Sequence, residues 1–268
     1  MNEKNLDYLK TRLKYLGFGD KLNKDLEENI KKQPEQFQLR LIGEFNKGDQ
    51  KDHVDYKLDF RKSDQTDMYF LNRYQATLKN DDPAKEKSQT FYINNGSGIT
   101  AKESYNLLDG RSVNKGLINA EEKPYNAWLQ LDFNEKDKND NYKVKQFHSG
   151  YGYDLEKAIE KHPIKEMNDP TLKLRLIESL EKGNLHQITM DRGGKEEKMF
   201  IEASPQYKNV NLYNTNLERQ FQGVERGIKT VSESELKKDK KESMKTSPDD
   251  DGPPKESKKT SKKKGMTV

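Results

Sequence analysis

The side chains that most often bind metals or carry out catalysis are sparse in this sequence. The chain has no cysteine, which excludes disulfides, thiolate zinc sites and a cysteine nucleophile. None of the histidines has the His-x-x-x-His or His-Glu-x-x-His spacing of a helical zinc site: His53, His148, His162 and His186. A metal site built from distant residues is the minor alternative. We therefore expect no enzymatic activity and no cofactor.

An aromatic and basic stretch provides the best candidate for ligand binding. Lys143 and Lys145 precede Phe147, Tyr151 and Tyr153. Aromatic side chains beside lysines on a sheet face stack the bases of single-stranded nucleic acids. The same pattern is typical of aromatics that cover a core beside a helix, with the lysines in solvent, and we favour that interpretation. The five residues are thus a candidate nucleic-acid contact.

A glycine-rich loop, residues 94–100, precedes a predicted helix. Thr100 and Glu103 have the spacing of a capping box, which predicts a helix that runs to about Leu108. A helix start can bind phosphate. The loop lacks the spacing and the lysine of a P-loop, and it lacks the dinucleotide-binding fingerprint. We favour a plain connection.

The elements that position these residues centre on a hairpin predicted between residues 124 and 154. Apolar residues occupy every second position of its first strand: Tyr125, Ala127, Leu129, Leu131 and Phe133. Trp128, the only tryptophan, lies on the opposite face, so we expect a predicted helix, 169–182, to cover it. Residues 134–141 predict a turn and residues 142–148 the returning strand.

The N-terminal part predicts a helical hairpin followed by an antiparallel meander. Asn5 and Asp20 are the predicted caps of two helices, the second of which ends before Pro34. A helix-turn-helix DNA-binding unit is one interpretation. Packing of both helices on a sheet is favoured, because acidic residues of the second helix would repel phosphate. Alternation then predicts strands near residues 37–41, 54–61, 68–78 and 91–93.

The C-terminal part predicts two helices and three strands. Asp154 is predicted to start a short helix that stops at Pro163. Asp169 is predicted to cap a second helix that ends at Gly183. The predicted buried face of the second helix is Leu172, Leu176, Ile177 and Leu180. The predicted strands are 187–190, 198–202 and 210–213.

Basic residues are concentrated at the C-terminus. From Arg219 onward there are 14 basic and 9 acidic residues, an excess of five positive charges, whereas the preceding residues are 36 basic and 37 acidic. Residues 237–264 are almost wholly polar, which predicts disorder. The lysine clusters at 237–241 and 258–264 could bind phosphate, but we favour a solubilising tail.

Composition and pattern together give a fold class and a location. The 268 residues are 30% hydrophobic and 36% charged. No signal-peptide core is present, and no run reaches the roughly 18 apolar residues of a membrane helix. We expect a cytoplasmic α+β protein without membrane contact. It should have two small antiparallel-sheet domains with flanking helices, residues 1–100 and 101–218, and a disordered charged tail, residues 219–268.

Four stretches of sequence carry a resemblance to a known family. They read SYNLLDGR at 104–111, YNAWLQLDF at 125–133, YGYDLE at 151–156 and FIEASPQYK at 200–208. Over roughly residues 100–215, and more weakly before them, the chain is similar to a domain family of unknown function common on conjugative transposons and related mobile elements of gut bacteria. The resemblance implies a genomic setting and assigns no site residues.

Two functional hypotheses follow from the resemblance and the charges. The first is a non-catalytic accessory or interaction protein of a bacterial mobile element, with an unidentified protein partner. The second is a nonspecific nucleic-acid-binding protein that acts in conjugation or element maintenance, with the basic tail as its contact. Enzymatic activity ranks below both.

Overall fold

The α+β fold class is confirmed in a computed structural model that describes residues 2–93, 98–221 and 229–230. Helices pack on three antiparallel sheets within one compact unit that extends to Thr230. Among these residues, no helix is long and apolar enough to cross a membrane. Residues 94–97 of the predicted glycine-rich loop, and the predicted tail apart from 219–221 and 229–230, lie outside the described residues. The predicted domain boundary near residue 100 stays a prediction.

The first sheet is the predicted meander. Its strands follow in chain order: β1 (Gln36–Lys47), β2 (Gln50–Lys62), β3 (Tyr69–Leu78) and β4 (Lys87–Tyr92). Strict alternation in β2 sends its apolar side chains into the first core: Val54, Tyr56, Leu58 and Phe60. Three helices share that core: α1 (Glu3–Tyr15), α2 (Asn23–Lys32) and α3 (Ala101–Leu108). The capping box of Thr100 and Glu103 at the start of α3 is confirmed.

The predicted caps of the first two helices are wrong. The cap of α1 is Asn2, whose side chain accepts from the backbone N–H of Asn5. Asn5 is buried within the helix, where its amide exchanges hydrogen bonds of 2.8 and 3.0 Å with the backbone of Tyr69. Helix α2 starts after Leu22 and has no side-chain cap. The chain makes a turn first, in which the Asp20 carbonyl accepts from Asn23, so Asp20 lies too early to be the cap.

The second sheet is the predicted hairpin with one additional strand. Its order is β5 (Val113–Ile118), β6 (Pro124–Lys136) and β7 (Tyr142–His148). Ala127, Leu129 and Leu131 of β6 face the first core, whereas Trp128 faces the second. Apolar side chains therefore pack on both faces of β6.

The third sheet holds the C-terminal strands. Its strands are β8 (His186–Arg192), β9 (Lys195–Ser204), β10 (Asn209–Tyr213), β11 (Arg219–Phe221) and β12 (Lys229–Thr230), arranged β12-β11-β10-β9-β8. Helices α4 (Leu155–Ile159) and α5 (Pro170–Glu181) precede it in the chain, with the predicted caps Asp154 and Asp169. The end of α5 is confirmed at Gly183, whose φ is +75°. A Cβ there would lie 2.7 Å from the carbonyl oxygen of Ser112, so only glycine fits this contact.

Trp128 is buried, as predicted, with 7% of its surface exposed. Its ring meets that of Tyr153 edge-on, with the centroids 5.4 Å apart. Leu176 and Leu180 of the predicted covering helix belong to the same core. The predicted burial of Leu172 is wrong, because the first turn of α5 extends past the core and leaves Leu172 43% exposed.

Candidate functional site

The predicted nucleic-acid lysines each have a carboxylate partner. Lys143 and Lys145 lie at alternate positions of β7 and thus on one face of the sheet. The Nζ of Lys143 is 2.7 Å from Glu135 Oε2, and the Nζ of Lys145 is 2.8 Å from Asp132 Oδ2. The hydrogen bond from Lys145 lowers the pKa of Asp132. These partners offset the positive charge that would attract phosphate.

Of the three predicted aromatics, only Tyr151 is exposed, whereas Phe147 and Tyr153 are partly buried against the second core. The rings of Phe147 and Tyr151 lie 5.0 Å apart, and Tyr151 is 39% exposed. The Nζ of Lys208 lies 4.7 Å from the Tyr151 ring centre. Tyr153 packs instead against Trp128, and its hydroxyl donates to the carbonyl of Asn209 at 3.1 Å. Burial raises the pKa of Tyr153.

A second site, the polar cleft, was not predicted from the sequence. It has a volume of about 550 Å³, within the usual range of ligand sites. Its walls include residues of strands β1, β2, β6, β9, β10 and β11 and of the turn after α3. Its charged and hydrogen-bonding residues include Lys47, Asp109, Arg111, Gln130, Glu202, Asn211, Tyr213 and Arg219.

One wall of the polar cleft is a charged triad around Asp109. Its two carboxylate oxygens lie 2.7 Å from Lys47 Nζ and 2.9 Å from Arg111 Nη1. Arg111 is 4% exposed, donates to Asn106 Oδ1 at 2.7 Å, and stacks over the ring of Tyr105. Asp109 ends α3 and Gly110 has φ +94°, so the sharp turn presents both charged residues to the cleft. A buried cation such as Arg111 needs these partners.

Another part of the lining is a cross-strand hydrogen-bond network. Glu202 on β9 lies opposite Asn211 on β10 and accepts from its amide at 2.8 Å. The same carboxylate accepts from the hydroxyl of Tyr213 at 2.7 Å. Arg219 on β11 donates to Asn211 Oδ1 at 2.5 Å. Burial, and next the charge of Glu202, raise the pKa of Tyr213 and keep its hydroxyl protonated.

The ammonium group of Lys102 lies close to the charged triad. Among the described residues, no carboxylate lies at ion-pair distance from it. The Nζ of Lys102 is 4.8 Å from the ring centre of Phe45 and 4.7 Å from that of Tyr105. Those two rings stack with their centroids 4.5 Å apart. Burial, and next the charge of Arg111, lower the pKa of Lys102 to about 8.

Lys102→Met is expected to raise the free energy of unfolding by about 1 kcal/mol at pH 7, because it removes a partly buried charge. This value allows for the solvent contact of the ammonium and for the lost cation–π contacts. Between pH 8 and 10.5 the unfolded wild type binds a proton that the folded form lacks. The free energy of unfolding of the wild type therefore rises with pH across that window, whereas that of the variant does not. The stability difference between the two proteins should shrink.

Urea denaturation at pH 7 and pH 9.5 measures both effects of Lys102→Met. Lys24→Met is the control, since the Lys24 side chain is 85% exposed, and it should change stability by less than about 0.5 kcal/mol at either pH. A Lys102 variant that is less stable than wild type at pH 7 would contradict the expectation.

The sequence gives only a weak indication of which residues line the polar cleft. It gives no indication that these residues come together. The sequence Asp109-Gly110-Arg111 is typical of an ordinary polar turn. The position of Glu202 is typical of the solvent-exposed face of a strand. Their partners lie far away in the chain, so their burial is set by tertiary packing. Within the described ranges, no group of three or more His, Asp or Glu side chains is placed to hold a metal ion.

Comparison with known proteins gives no information on the function of the chain. The chain matches no protein-family model, no curated protein and no solved structure. The resemblance to the mobile-element family therefore stays a prediction. The function of the polar cleft has to be inferred from its own side chains.

Proposed function

We propose that the chain is a non-catalytic interaction protein that binds a polypeptide segment of a partner in the polar cleft. The supporting observation is that the walls hold positive and negative groups in fixed places. Lys47 and Arg111 are positioned by Asp109, and Glu202 is positioned by Asn211 and Tyr213. A polypeptide presents donors and acceptors in alternation, so it matches walls of both kinds.

The chemistry of the same residues favours recognition over proton transfer. An efficient general acid or base has a pKa near the working pH. Burial moves the pKa of Tyr213 away from neutrality. Arg111 and Lys47 share one carboxylate in a fixed arrangement that suits hydrogen bonding to a bound ligand.

The proposed setting is the cytoplasm of a bacterium that carries a mobile element, with the chain as an accessory protein of that element. Three of the four stretches that carry the resemblance contribute to the walls of the polar cleft: 104–111, 125–133 and 200–208. If the family shares an activity, this is where its sequence similarity would converge. The absence of cysteine is compatible with a reducing compartment.

Affinity capture from cells that carry such an element tests the proposal. Gln50 lines the polar cleft and is exposed, so Gln50→Trp should obstruct the cleft without disturbing a core. We expect a partner retained by wild type to be lost with Gln50→Trp. Tyr15→Ala is the control, because Tyr15 is 77% exposed on α1 and does not line the cleft, and it should retain the partner. Equal capture by all three proteins, with unchanged melting temperatures, would reject the cleft as the binding site.

Nonspecific nucleic-acid binding is the second candidate, and the exposed Tyr151 ring with Lys208 above it favours this function. Stacking of one base on an aromatic contributes about 1–3 kcal/mol. Tyr151→Ala should therefore weaken binding of a fluorescent single-stranded oligonucleotide by about tenfold or more at low salt. The control Tyr15→Ala should bind like wild type. Wild-type protein that does not bind at about 50 mM salt would exclude this candidate.

A further inference from the structure

The first sheet ends in an open edge at β1. This strand is twelve residues long and pairs with β2 alone among the described strands. The N–H of Lys62 donates to the carbonyl of Glu35, which fixes the alternation of the antiparallel ladder. The N–H and C=O groups of alternate β1 residues therefore point away from β2: Gln36, Gln38, Arg40, Ile42, Glu44 and Asn46.

Among the described residues, β1 lacks proline, a bulge and a second paired strand. Natural edges are shielded by these features or by charged side chains, and of these β1 has the charged side chains, among them Arg40 and Glu44. The β1–β2 register runs without a shift from Gln36 to Lys47, and β1 contains no proline. Ile42 at its centre is 66% exposed. A long, regular edge with an exposed apolar residue is a template for another strand.

We propose that β1 pairs with β1 of a second copy of this chain, antiparallel, about a two-fold axis at Ile42. In this register Ile42 lies opposite Ile42 of the second copy. Arg40 of each copy then lies opposite Glu44 of the other, so two pairs of opposite charge flank the axis. Centring the axis on Arg40 or on Glu44 would place like charges face to face. Among these three axes, charge complementarity therefore selects the one at Ile42.

The side chains at the edge are able to make these charge pairs. Arg40 uses Nε and Nη2 to bind Asp55, at 3.2 and 2.6 Å. A guanidinium has five N–H donors, so others remain for a second carboxylate. Glu44 has only long contacts to Lys51 and His53, at 3.6 and 3.8 Å. The Glu44 side chain can therefore reorient toward Arg40 of the second copy with little loss of free energy.

The inner face of the strand fits the same register. Leu41 of one copy lies opposite Gly43 of the other, and both positions are half-buried at the rim of the first core. A Cβ at Gly43 would lie 2.8 Å from the ring of Tyr56, so this position carries no side chain. The rings of Tyr56 and Phe45 cover Gly43, so Leu41 of the second copy would pack against these rings. A second Leu41–Gly43 pair forms across the axis.

Single-cysteine variants of the full chain test the pairing directly, since the natural sequence has no cysteine. Directly paired residues in this arrangement have Cα atoms about 5.5 Å apart, a distance that a disulfide spans. Ile42→Cys should form a covalent dimer under mild oxidation. Ile118→Cys is the matched control, an exposed isoleucine on another strand, and should stay largely monomeric. Equal oxidation of both variants would overturn the proposal.

A charge exchange distinguishes this register from other associations. Arg40→Glu and Glu44→Arg each create two like-charge pairs and should raise the dimer Kd by about tenfold in sedimentation equilibrium. The double variant restores opposite charges and should restore dimerisation. Thermal melting checks that each variant is folded. A monomeric wild type, or a double variant as weak as the single ones, would overturn the pairing and leave the polar cleft proposal untouched.

Discussion

Trp128→Ala is expected to lower the free energy of unfolding by about 3–5 kcal/mol, the usual cost of truncating a large buried aromatic. Trp128 is 7% exposed and its ring meets Tyr153 edge-on. The substitution leaves a cavity between β6 and α5 and removes the ring contact, which alone contributes about 0.5–1.5 kcal/mol. Urea denaturation followed by circular dichroism measures the loss, because the variant lacks the tryptophan signal.

Ile118→Ala is the matched control for Trp128→Ala. Ile118 lies on β5 of the same sheet and is 57% exposed, so its truncation should cost less than about 1 kcal/mol. If Trp128→Ala lost no more stability than this control, the second core would not depend on the tryptophan.

Asp109→Leu is expected to cost about 3–5 kcal/mol, because it removes the carboxylate from the charged triad. Arg111, 4% exposed, would keep its charge without that partner, and Lys47 would lose its carboxylate as well. Asp64→Leu is the control, since the Asp64 side chain is 83% exposed, and it should change stability by about 0.5 kcal/mol or less. Denaturation midpoints and slopes for both variants provide the comparison.

A double variant separates the charge from the shape of the site. In Asp109→Leu/Arg111→Met the uncompensated buried cation is gone, so part of the lost stability should return. If the double variant were less stable than Asp109→Leu alone, Arg111 would stabilise the fold mainly through its packing on Tyr105.

Local pattern predicted the strands in which every second residue is apolar. The alternation in β2 and β6 is strict because one face is apolar, and both strands are where the sequence indicated. Strand β5 was missed, because its centre is Asn114-Lys115-Gly116 and only Val113 is buried. It is a strand because β6 offers it a partner, which a local pattern does not record.

The candidate site was harder to predict for a related reason. Their spacing predicts Lys143 and Lys145 as a candidate nucleic-acid contact. Their carboxylate partners depend on how the hairpin folds back, which the spacing does not show. The polar cleft collects residues from Lys47 to Arg219, and no local period connects them. Asn5 illustrates the same limit, since its burial follows from a contact with Tyr69 that lies 64 residues away.

The second sheet, which contains β6, limits how the gene for this protein can recombine. Because β6 supplies Leu129 to one core and Trp128 to the other, neither core is complete without it. Recombination that separated the sequence on either side of this sheet would leave at least one product with an uncovered apolar wall. Such products would aggregate or be degraded, so exchange between related genes should preserve the stretch around β6 together with both of its flanks.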